Sequence, residues 1–242
     1  MRDVKTVRAR LLKLAFESLY GPFAWAYDWV SRTFFMGQWR VWQRAALPHL
    51  RGTRVLELGM GTGNLQIDMA RAGLQPVGID LSPQMLRQAR RKWKRLGIAP
   101  FRMCRARATA LPFPDAAFDS VVSTFPSEYI ADERTLAEVS RVLRPGGRLV
   151  VVPGGWLNPK GAKGRALEGV SRAVYGYQAA PHDVLDPAEL ERRIAQGEGW
   201  YTWLSALRER MSAAGYDTNA HLAGNNKGTC LVIVADKRGA AT

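Results

Sequence analysis

Short apolar, β-branched runs alternate along this chain with longer segments whose apolar residues recur at helical spacing. The runs predict seven strands, at residues 54–58, 75–79, 100–103, 118–123, 148–152, 217–222 and 229–235. The longer segments predict helices at residues 64–72, 83–96, 132–142 and 200–214. This alternation is typical of an α/β fold with a doubly wound sheet, here ending in an antiparallel hairpin.

Two segments fall outside the regular alternation. Residues 2–20 and 24–47 predict two helices, broken at Gly21-Pro22, and we expect residues 1–50 to form an N-terminal helical cap on a domain of residues 51–242. Residues 153–199, rich in glycine, proline and charge, are too long for an ordinary loop and predict a lid over the substrate. A helix should begin within this insertion, with Asp186 as its N-cap and Pro187 in its first turn.

A glycine-rich loop follows the first predicted strand, which closes on Glu57. The loop carries Gly59, Gly61 and Gly63. Alternating glycines remove the Cβ atoms where a backbone turns sharply and approaches a ligand. The next strand ends on Asp80, and an acid at that place suits ribose hydroxyls. The pattern favours a nucleoside pocket over a plain tight turn, and Asn64 stands where a dinucleotide fingerprint has its third glycine.

The run from Glu57 to Gly63 resembles motif I of the class I S-adenosylmethionine-dependent methyltransferases. Three further segments are similar to that family in the same order along the chain. They are the Tyr27-Asp28 pair, the Ala108 to Asp115 run followed by Phe118-Asp119, and Arg144-Pro145-Gly146-Gly147 before the fifth strand. The resemblance is closest to the type 11 methyltransferase domain, in the branch of ubiquinone/menaquinone C-methyltransferases and phospholipid N-methyltransferases.

The resemblance implies a Rossmann-like α/β fold with a seven-stranded, mostly parallel sheet and S-adenosyl-L-methionine as cofactor. It also implies which residues bind the cofactor: Tyr27, Glu57, Gly59, Gly61, Gly63, Asn64, Asp80, Leu81, Arg107, Ala108 and Thr124. One departure stands out. Where the family commonly has an acid that contacts the adenine amine, this chain has Arg107.

Methyl transfer from a sulfonium is an in-line displacement, so alignment and desolvation can supply most of the acceleration. A general base is needed when the acceptor must lose a proton. Glu128 and His182 are the predicted bases, and Tyr129 is predicted to orient the substrate. In open α/β sheets ligands bind beyond the carboxyl ends of the strands, so residues 124–129 and 154–156 should face the methyl donor.

Positive charge is the second prominent feature, with a formal net charge of +14. Between Asp80 and Asp115 there is no acid, and there are nine bases: Arg87, Arg90, Arg91, Lys92, Lys94, Arg95, Arg102, Arg105 and Arg107. Such a surface attracts anions. The predicted N-terminal helix mixes bases with bulky apolar residues, as interfacial helices do. An anionic membrane surface and ordinary surface charge both stay open, whereas nucleic acid is disfavoured because no RNA-binding module is recognisable.

The remaining composition suits one catalytic domain of 242 residues, 47% of them hydrophobic. Cys104 and Cys230 are far apart and lack ligand-spaced neighbours, so neither a disulfide framework nor a metal site is expected. We predict a cytoplasmic methyltransferase whose acceptor is a small molecule of apolar or lipid-like character, and a peripheral position at the inner membrane face stays open. The alternatives are an RNA methyltransferase, a non-catalytic S-adenosylmethionine-binding protein and, most remote, an NAD(P) oxidoreductase.

Overall fold

Seven strands form one sheet in this computed structural model, which describes residues 37–98, 102–157, 187–197 and 200–239. The strands are β1 (Arg54–Leu58), β2 (Gln75–Asp80), β3 (Arg102–Arg105), β4 (Phe118–Thr124), β5 (Leu143–Leu157), β6 (Tyr216–Asn225) and β7 (Gly228–Lys237). Their order is β3-β2-β1-β4-β5-β7-β6. The first five strands are parallel, and β7 is antiparallel to both β5 and β6. The predicted seven-stranded, mostly parallel sheet is confirmed.

The described helices cover both faces of the sheet. They are α1 (Gln38–Arg44), α2 (Asn64–Arg71), α3 (Pro83–Arg95), α4 (Glu133–Val142), α5 (Pro187–Gln196) and α6 (Trp200–Ala213), with short 3-10 turns at Leu47–His49 and Glu128–Ala131. Two of the helix starts follow simple capping rules. The hydroxyl of Ser82 accepts the N–H of Met85 at the start of α3, and Asp132 accepts the N–H of Arg134 at the start of α4.

Side chains of the central strands point alternately to the two faces of the sheet, which divides the core into two layers. On one face of the sheet, Leu56 and Val121 pack with the apolar sides of α4, α5 and α6. On the other face, Val55 and Val122 pack with Trp42 of α1 and with α2. All seven residues of β4 are buried, as expected for a parallel strand covered on both faces. The carboxyl ends of β1, β2 and β4 therefore lie side by side on a rigid support.

The fifth strand is longer than the sequence indicates, since it runs from Leu143 to Leu157 rather than over 148–152. Arg144–Gly147, predicted as a turn before the strand, instead forms a bulge within it, because Leu143 pairs with Phe118 and Arg148 pairs with Ser120. Beyond Val152 the strand continues because β7 pairs with it past a second irregularity. Residues 154–156 thus lie inside a strand, and their predicted position at a strand exit is wrong.

The structure describes the two ends of the predicted lid at residues 153–199. Its first five residues belong to β5, and its last helix, α5, buries Leu190 and Ile194 in the main core beside α6. These parts are structural, so the lid prediction is wrong for them. Residues 158–186, which include His182 and the predicted N-cap Asp186, lie outside the described residues, and a lid role for them stays a prediction.

The predicted helix over residues 24–47 does not run unbroken. Gly37 adopts a left-handed φ of 78° at the N-cap of α1, and α1 ends at Arg44. Residues 1–36, with the predicted helix 2–20 and Tyr27, lie outside the described part, as do residues 99–101 at the start of the predicted third strand. Among the described helices, none has the length and apolar character of a membrane span.

Asp119 fixes the amino-terminal ends of the central strands, opposite the site. Its buried carboxylate accepts the N–H groups of Thr53 and Arg54 at 2.8 and 2.9 Å, and it pairs with the guanidinium groups of Arg54 and Arg144 at 3.5 and 3.1 Å. Gly52 makes this possible, because a Cβ there would come within 2.3 Å of the carboxylate. Burial alone would raise the pKa of Asp119, but these four donors outweigh it and hold the pKa below its ordinary value.

Replacing Asp119 by Asn should lower the free energy of unfolding by about 1.5 to 3 kcal/mol near neutral pH, because charge-assisted bonds to β1 weaken. A carboxyl group whose pKa is depressed by folding stabilises the protein above its ordinary pKa, and this contribution is lost as pH falls through the folded value. The difference between wild type and Asp119→Asn should therefore shrink below about pH 4 in urea unfolding. The exposed Asp115, which pairs with Arg141, gives a matched control whose loss should cost less than about 1 kcal/mol. A constant difference across this pH range would contradict the assigned role.

Candidate cofactor and acceptor site

The glycine loop lies where the carboxyl ends of β1, β2 and β4 meet. Gly59, Gly61 and Gly63 have φ values of 68°, 54° and 74°, so all three occupy the left-handed region that other residues rarely adopt. The N–H of Met60 donates to the carbonyl of Ile79 at 3.0 Å, which draws the loop against the end of β2. The sequence prediction of a sharp turn at this place is confirmed in its backbone geometry.

Asp80 connects the glycine loop to the start of α3. One carboxylate oxygen accepts the N–H of Gly61 at 2.8 Å, and the other accepts the N–H of Ser82 at 2.7 Å. Burial raises the pKa of Asp80, and these two bonds oppose the rise. Each carboxylate oxygen can accept a second hydrogen bond. The residues present therefore fit a nucleoside whose two ribose hydroxyls donate to Asp80.

Glu57 is the least compensated carboxyl group of the site. Its side chain is 1% exposed, and it accepts a hydrogen bond from the amide of Gln66 at 2.7 Å. Burial raises the pKa of Glu57 to about 8, the Gln66 amide opposes this, and the nearby Asp80 and Asp68 add to it. At neutral pH this carboxyl group is therefore mostly protonated, and a nearby cation would favour its charged form.

Tyr129 lies directly on the glycine loop. Its hydroxyl is 2.7 Å from the hydroxyl of Ser123 and donates to the carbonyl of Leu58 at 3.3 Å. A Cβ on Gly59 would stand 2.9 Å from this hydroxyl, so glycine is also required there for space. The structure thus places the predicted Tyr129 where it holds β1, β4 and the loop together.

Glu128 is exposed at the first residue of the 3-10 turn after β4. It lines an open depression of about 420 Å³ with Asp132, Glu133, Arg134 and Arg210. Tyr129, the next residue along the chain, does not line this depression. The other predicted base, His182, lies outside the described residues, so the assignment of a base stays a prediction.

Two aromatic rings cover the exit of β4. Trp39 of α1 stacks on Phe125 with ring centroids 3.7 Å apart and an angle of 20° between the planes. Phe125 follows Thr124 directly and has a φ of 53°, a strained value for a bulky residue. Because Leu58 pairs with Ser123, this aromatic wall stands beside the end of β1 and its glycine loop.

Helix α1 is clamped onto the helix that begins at the glycine loop. Arg40 and Arg44 both make paired contacts of 2.7 to 2.9 Å with the buried carboxylate of Asp68. Arg40 and Lys92 each donate to the side-chain oxygen of Asn64 at 3.0 Å. Asn64 was predicted to contact the cofactor. The sequence did not predict the contacts of Arg40 and Arg44 with Asp68, because these residues are far apart along the chain.

Three further predicted cofactor residues, Leu81, Arg107 and Ala108, lie beyond the ends of β2 and β3. Leu81 follows Asp80 and is 49% exposed, and its carbonyl accepts a hydrogen bond from Arg105 at 3.0 Å. Arg107 is exposed and forms an isolated bridge with Ala110, and Ala108 packs partly against the core. Tyr27 lies outside the described residues. In the described ranges, no three His, Cys, Asp or Glu side chains come together as metal ligands.

The Leu-Pro-Phe segment before β4 is held by α4. Glu138 accepts the N–H of Leu111 at 2.7 Å, while Arg141 donates to the carbonyls of Leu111 and Phe113 at 2.9 and 2.7 Å. Glu138 and Arg141 also pair with each other at 2.7 Å. The Leu-Pro-Phe segment is therefore held in place by the Glu138–Arg141 ion pair of α4. Its sequence pattern can be explained by this anchoring, with or without a contact to a ligand.

Gly59→Ala should weaken binding of S-adenosylhomocysteine, the demethylated cofactor, more than Gly61→Ala does. Both glycines have positive φ, so both variants are strained by about 1 kcal/mol or more. Only position 59 also places its Cβ against Tyr129. Adding Tyr129→Phe to Gly59→Ala removes the contacting hydroxyl and should restore part of the affinity in calorimetry. No recovery in the double variant would show that the Tyr129 contact does not limit the loop.

Glu57→Gln should change how stability depends on pH. A carboxyl group whose pKa is raised by folding makes its full contribution below its ordinary pKa, and stability is lost as pH rises through the folded value. Wild type should therefore lose unfolding free energy between about pH 5 and about pH 9, and the neutral glutamine variant should lose less. Parallel denaturant curves for the two proteins would measure this. Identical pH profiles would show that Glu57 is ionised in the folded protein.

Comparison with known proteins agrees with this geometry. A family model described as "Methyltransferase domain" matches residues 55–147, from β1 to the bulge of β5. Solved S-adenosylmethionine-dependent methyltransferases share the fold. One from Methanococcus maripaludis has a TM-score of 0.57 at 16% identity, covering 89% of this chain and 92% of its own. Another from Thermotoga maritima has a TM-score of 0.54 at 19% identity, covering 90% and 97%.

Relatives with similar sequences narrow the family further than the shared fold does. A demethylmenaquinone methyltransferase of Thermus thermophilus is 34% identical, over 84% of this chain and 94% of its own. A ubiquinone/menaquinone biosynthesis C-methyltransferase of Pasteurella multocida is 33% identical, over 88% and 80%. A phosphatidylethanolamine N-methyltransferase of Cereibacter sphaeroides is 41% identical, but over only 45% of this chain and 54% of its own length. The near-complete match to the Thermus enzyme shows that this chain belongs to the class I S-adenosylmethionine-dependent methyltransferases, in the branch of these quinone and phospholipid enzymes.

Proposed function

We propose that this methyltransferase methylates a ring carbon of a hydroxylated aromatic acceptor that carries an apolar tail, as a reduced isoprenoid quinone does. The two relatives matched over most of their length are named for quinone methylation. The relative named for a phospholipid amine is matched over little more than half of its length. The extent of these matches favours a quinone-like acceptor over a phospholipid amine.

The stacked pair of Trp39 and Phe125 is the observation that carries the proposal. It presents aromatic surface at the exit of β4, beside the glycine loop. Offset stacking on such a surface favours a flat ring, whereas a phospholipid amine needs no aromatic plane of this kind. The strained backbone of Phe125 supports a role in the site, in addition to its packing against Trp42 in the core.

When bound, S-adenosylmethionine supplies an electrophilic methyl group, whose bond to sulfur breaks as the acceptor carbon bonds to it. The protein aligns the two partners and excludes water. Asp80 would hold the ribose hydroxyls, and Tyr129 keeps the end of β1 in place. A ring carbon gains nucleophilicity when a neighbouring hydroxyl group is deprotonated, and it must later lose its own proton. Glu128 and His182 remain the candidates for these proton transfers.

A quinol with a long apolar tail partitions into lipid, so we also infer peripheral association with the inner face of a membrane. The net charge of +14 suits an anionic surface. The predicted interfacial helix at residues 2–20 would contribute apolar side chains, but it lies outside the described residues. RNA methylation and non-catalytic cofactor binding are retained as outcomes that an acceptor assay would separate.

An acceptor assay with labelled S-adenosylmethionine tests this proposal. Mass spectrometry should find one methyl group on a ring carbon of a demethylated menaquinol, and none on phosphatidylethanolamine or RNA. Phe125→Leu should raise the KM for the quinol by roughly three- to tenfold, because an aromatic contact is lost, with cofactor affinity unchanged. Phe113→Leu is the matched control, since Phe113 packs against Phe118 at the opposite end of β4. Methylation of the phospholipid alone would contradict the proposal, and tight cofactor binding with no methylated acceptor would indicate a binding protein.

A further inference from the structure

Five exposed bases form a stripe along the outer side of α3. Arg87, Arg90, Arg91, Lys94 and Arg95 recur at the spacing of one helical face, and we call them the basic stripe. The opposite side of α3 is apolar and buried, with Met85, Leu86, Ala89 and Trp93 packed toward the sheet. The helix is therefore anchored by one face, and its bases project into solvent together over about 12 Å.

The charge of the basic stripe is not neutralised within the described chain. The sequence has no acid between Asp80 and Asp115, and no described carboxylate pairs with any member of the stripe. Arginines elsewhere behave differently. Arg54 and Arg144 pair with Asp119, and Arg141 pairs with Glu138. A row of five cations that no described carboxylate pairs with, on a fixed helix, generates a local positive potential that attracts an external anion.

The basic stripe lies at the edge of the sheet nearest the cofactor residues. Helix α3 begins just after Asp80 and packs beside β2 and the edge strand β3. Arg105 is exposed at the carboxyl end of β3 and donates to the carbonyl of Leu81. It adds a further base near the start of α3. Leu96 follows the stripe directly and is 56% exposed, one of two large apolar side chains so exposed in the described residues.

We propose that the basic stripe, with Arg105 and Leu96, docks this methyltransferase on an anionic phospholipid surface. A straight row of cations suits a flat layer of lipid phosphates, and an aliphatic side chain at its end can enter between headgroups. Single-stranded RNA is commonly held by stacking on exposed aromatic rings, but Trp93, the aromatic residue of α3, is 1% exposed. This inference rests on the proposed function in one respect, that the acceptor resides in the bilayer.

Vesicle binding by the full chain tests the surface directly. The probe is phosphatidylcholine vesicles with or without added phosphatidylglycerol, at fixed ionic strength. Each base near an anionic surface strengthens binding roughly fivefold, so Arg91→Gln with Arg95→Gln should weaken partitioning by roughly 30-fold. The matched control is Arg71→Gln with Lys227→Gln, which removes the same charge from two exposed positions away from the stripe. Equal losses in the two double variants, or no loss in the stripe variant, would overturn the proposal.

Leu96→Ser separates lipid from nucleic acid, because it keeps every charge. It should reduce binding to anionic vesicles and leave binding to a single-stranded RNA homopolymer unchanged. If the stripe variant instead loses RNA binding while its vesicle binding is retained, the surface is a nucleic-acid site and the membrane proposal is wrong. Thermal melting of each variant checks that the exposed substitutions leave the fold intact.

Activity measurements keep this inference distinct from the proposed function. The stripe variant should methylate a short-tailed, water-soluble quinol at the wild-type rate, but it should be slower on a long-tailed quinol in anionic vesicles. Equal rates for wild type and variant in vesicles would overturn docking through the stripe. Failure of wild type to methylate either quinol would overturn the proposed acceptor, while the vesicle partitioning would still decide the docking surface.

Discussion

The Asp80 carboxylate is the group on which the site depends. It is buried at the end of β2, and it accepts N–H groups from both the glycine loop and the start of α3. The loop can reach it because three glycines take up left-handed backbone conformations. One acid thus fixes the turn after β1, the start of the next helix and the remaining acceptor positions for a ribose. The geometry of the loop and of the start of α3 is therefore coupled through this single side chain.

Three carboxyl groups are buried close together here, and each is compensated in a different way. Asp68 receives two guanidinium groups from α1, Asp80 receives two backbone N–H groups, and Glu57 receives the amide of Gln66. Only Glu57 is left with a pKa raised to about 8. A ligand with an ammonium or sulfonium group would find an environment in which a cation is favoured. These carboxyl groups are buried inside the site, whereas the bases of the basic stripe are exposed on the outer side of α3.

The sequence predicted the features that depend on local pattern. Buried apolar runs located β1 and β4, apolar residues at helical spacing located α3, and the spacing of Gly59 to Gly63 located the loop. It failed where distant segments decide the outcome. β5 extends to Leu157 because β7 pairs with it, and α5 is core because α6 and β6 cover it. The clamp between Arg40 and Asp68 joins residues 28 positions apart, and no periodicity reports such a contact. The positive φ of Phe125 could not be predicted from the sequence either, because phenylalanine does not favour that conformation.

Calorimetric titration of the purified chain tests the central claim, that the loop and Asp80 form a nucleoside site for S-adenosylmethionine. S-adenosylmethionine and S-adenosylhomocysteine should bind, and NAD should not, because Asn64 begins α2 where a dinucleotide site has its third glycine. Asp80→Asn should weaken S-adenosylhomocysteine by roughly 10- to 100-fold, since hydrogen bonds to a charged acceptor are lost. Tighter binding of NAD than of S-adenosylmethionine, or unchanged affinity in Asp80→Asn, would contradict it.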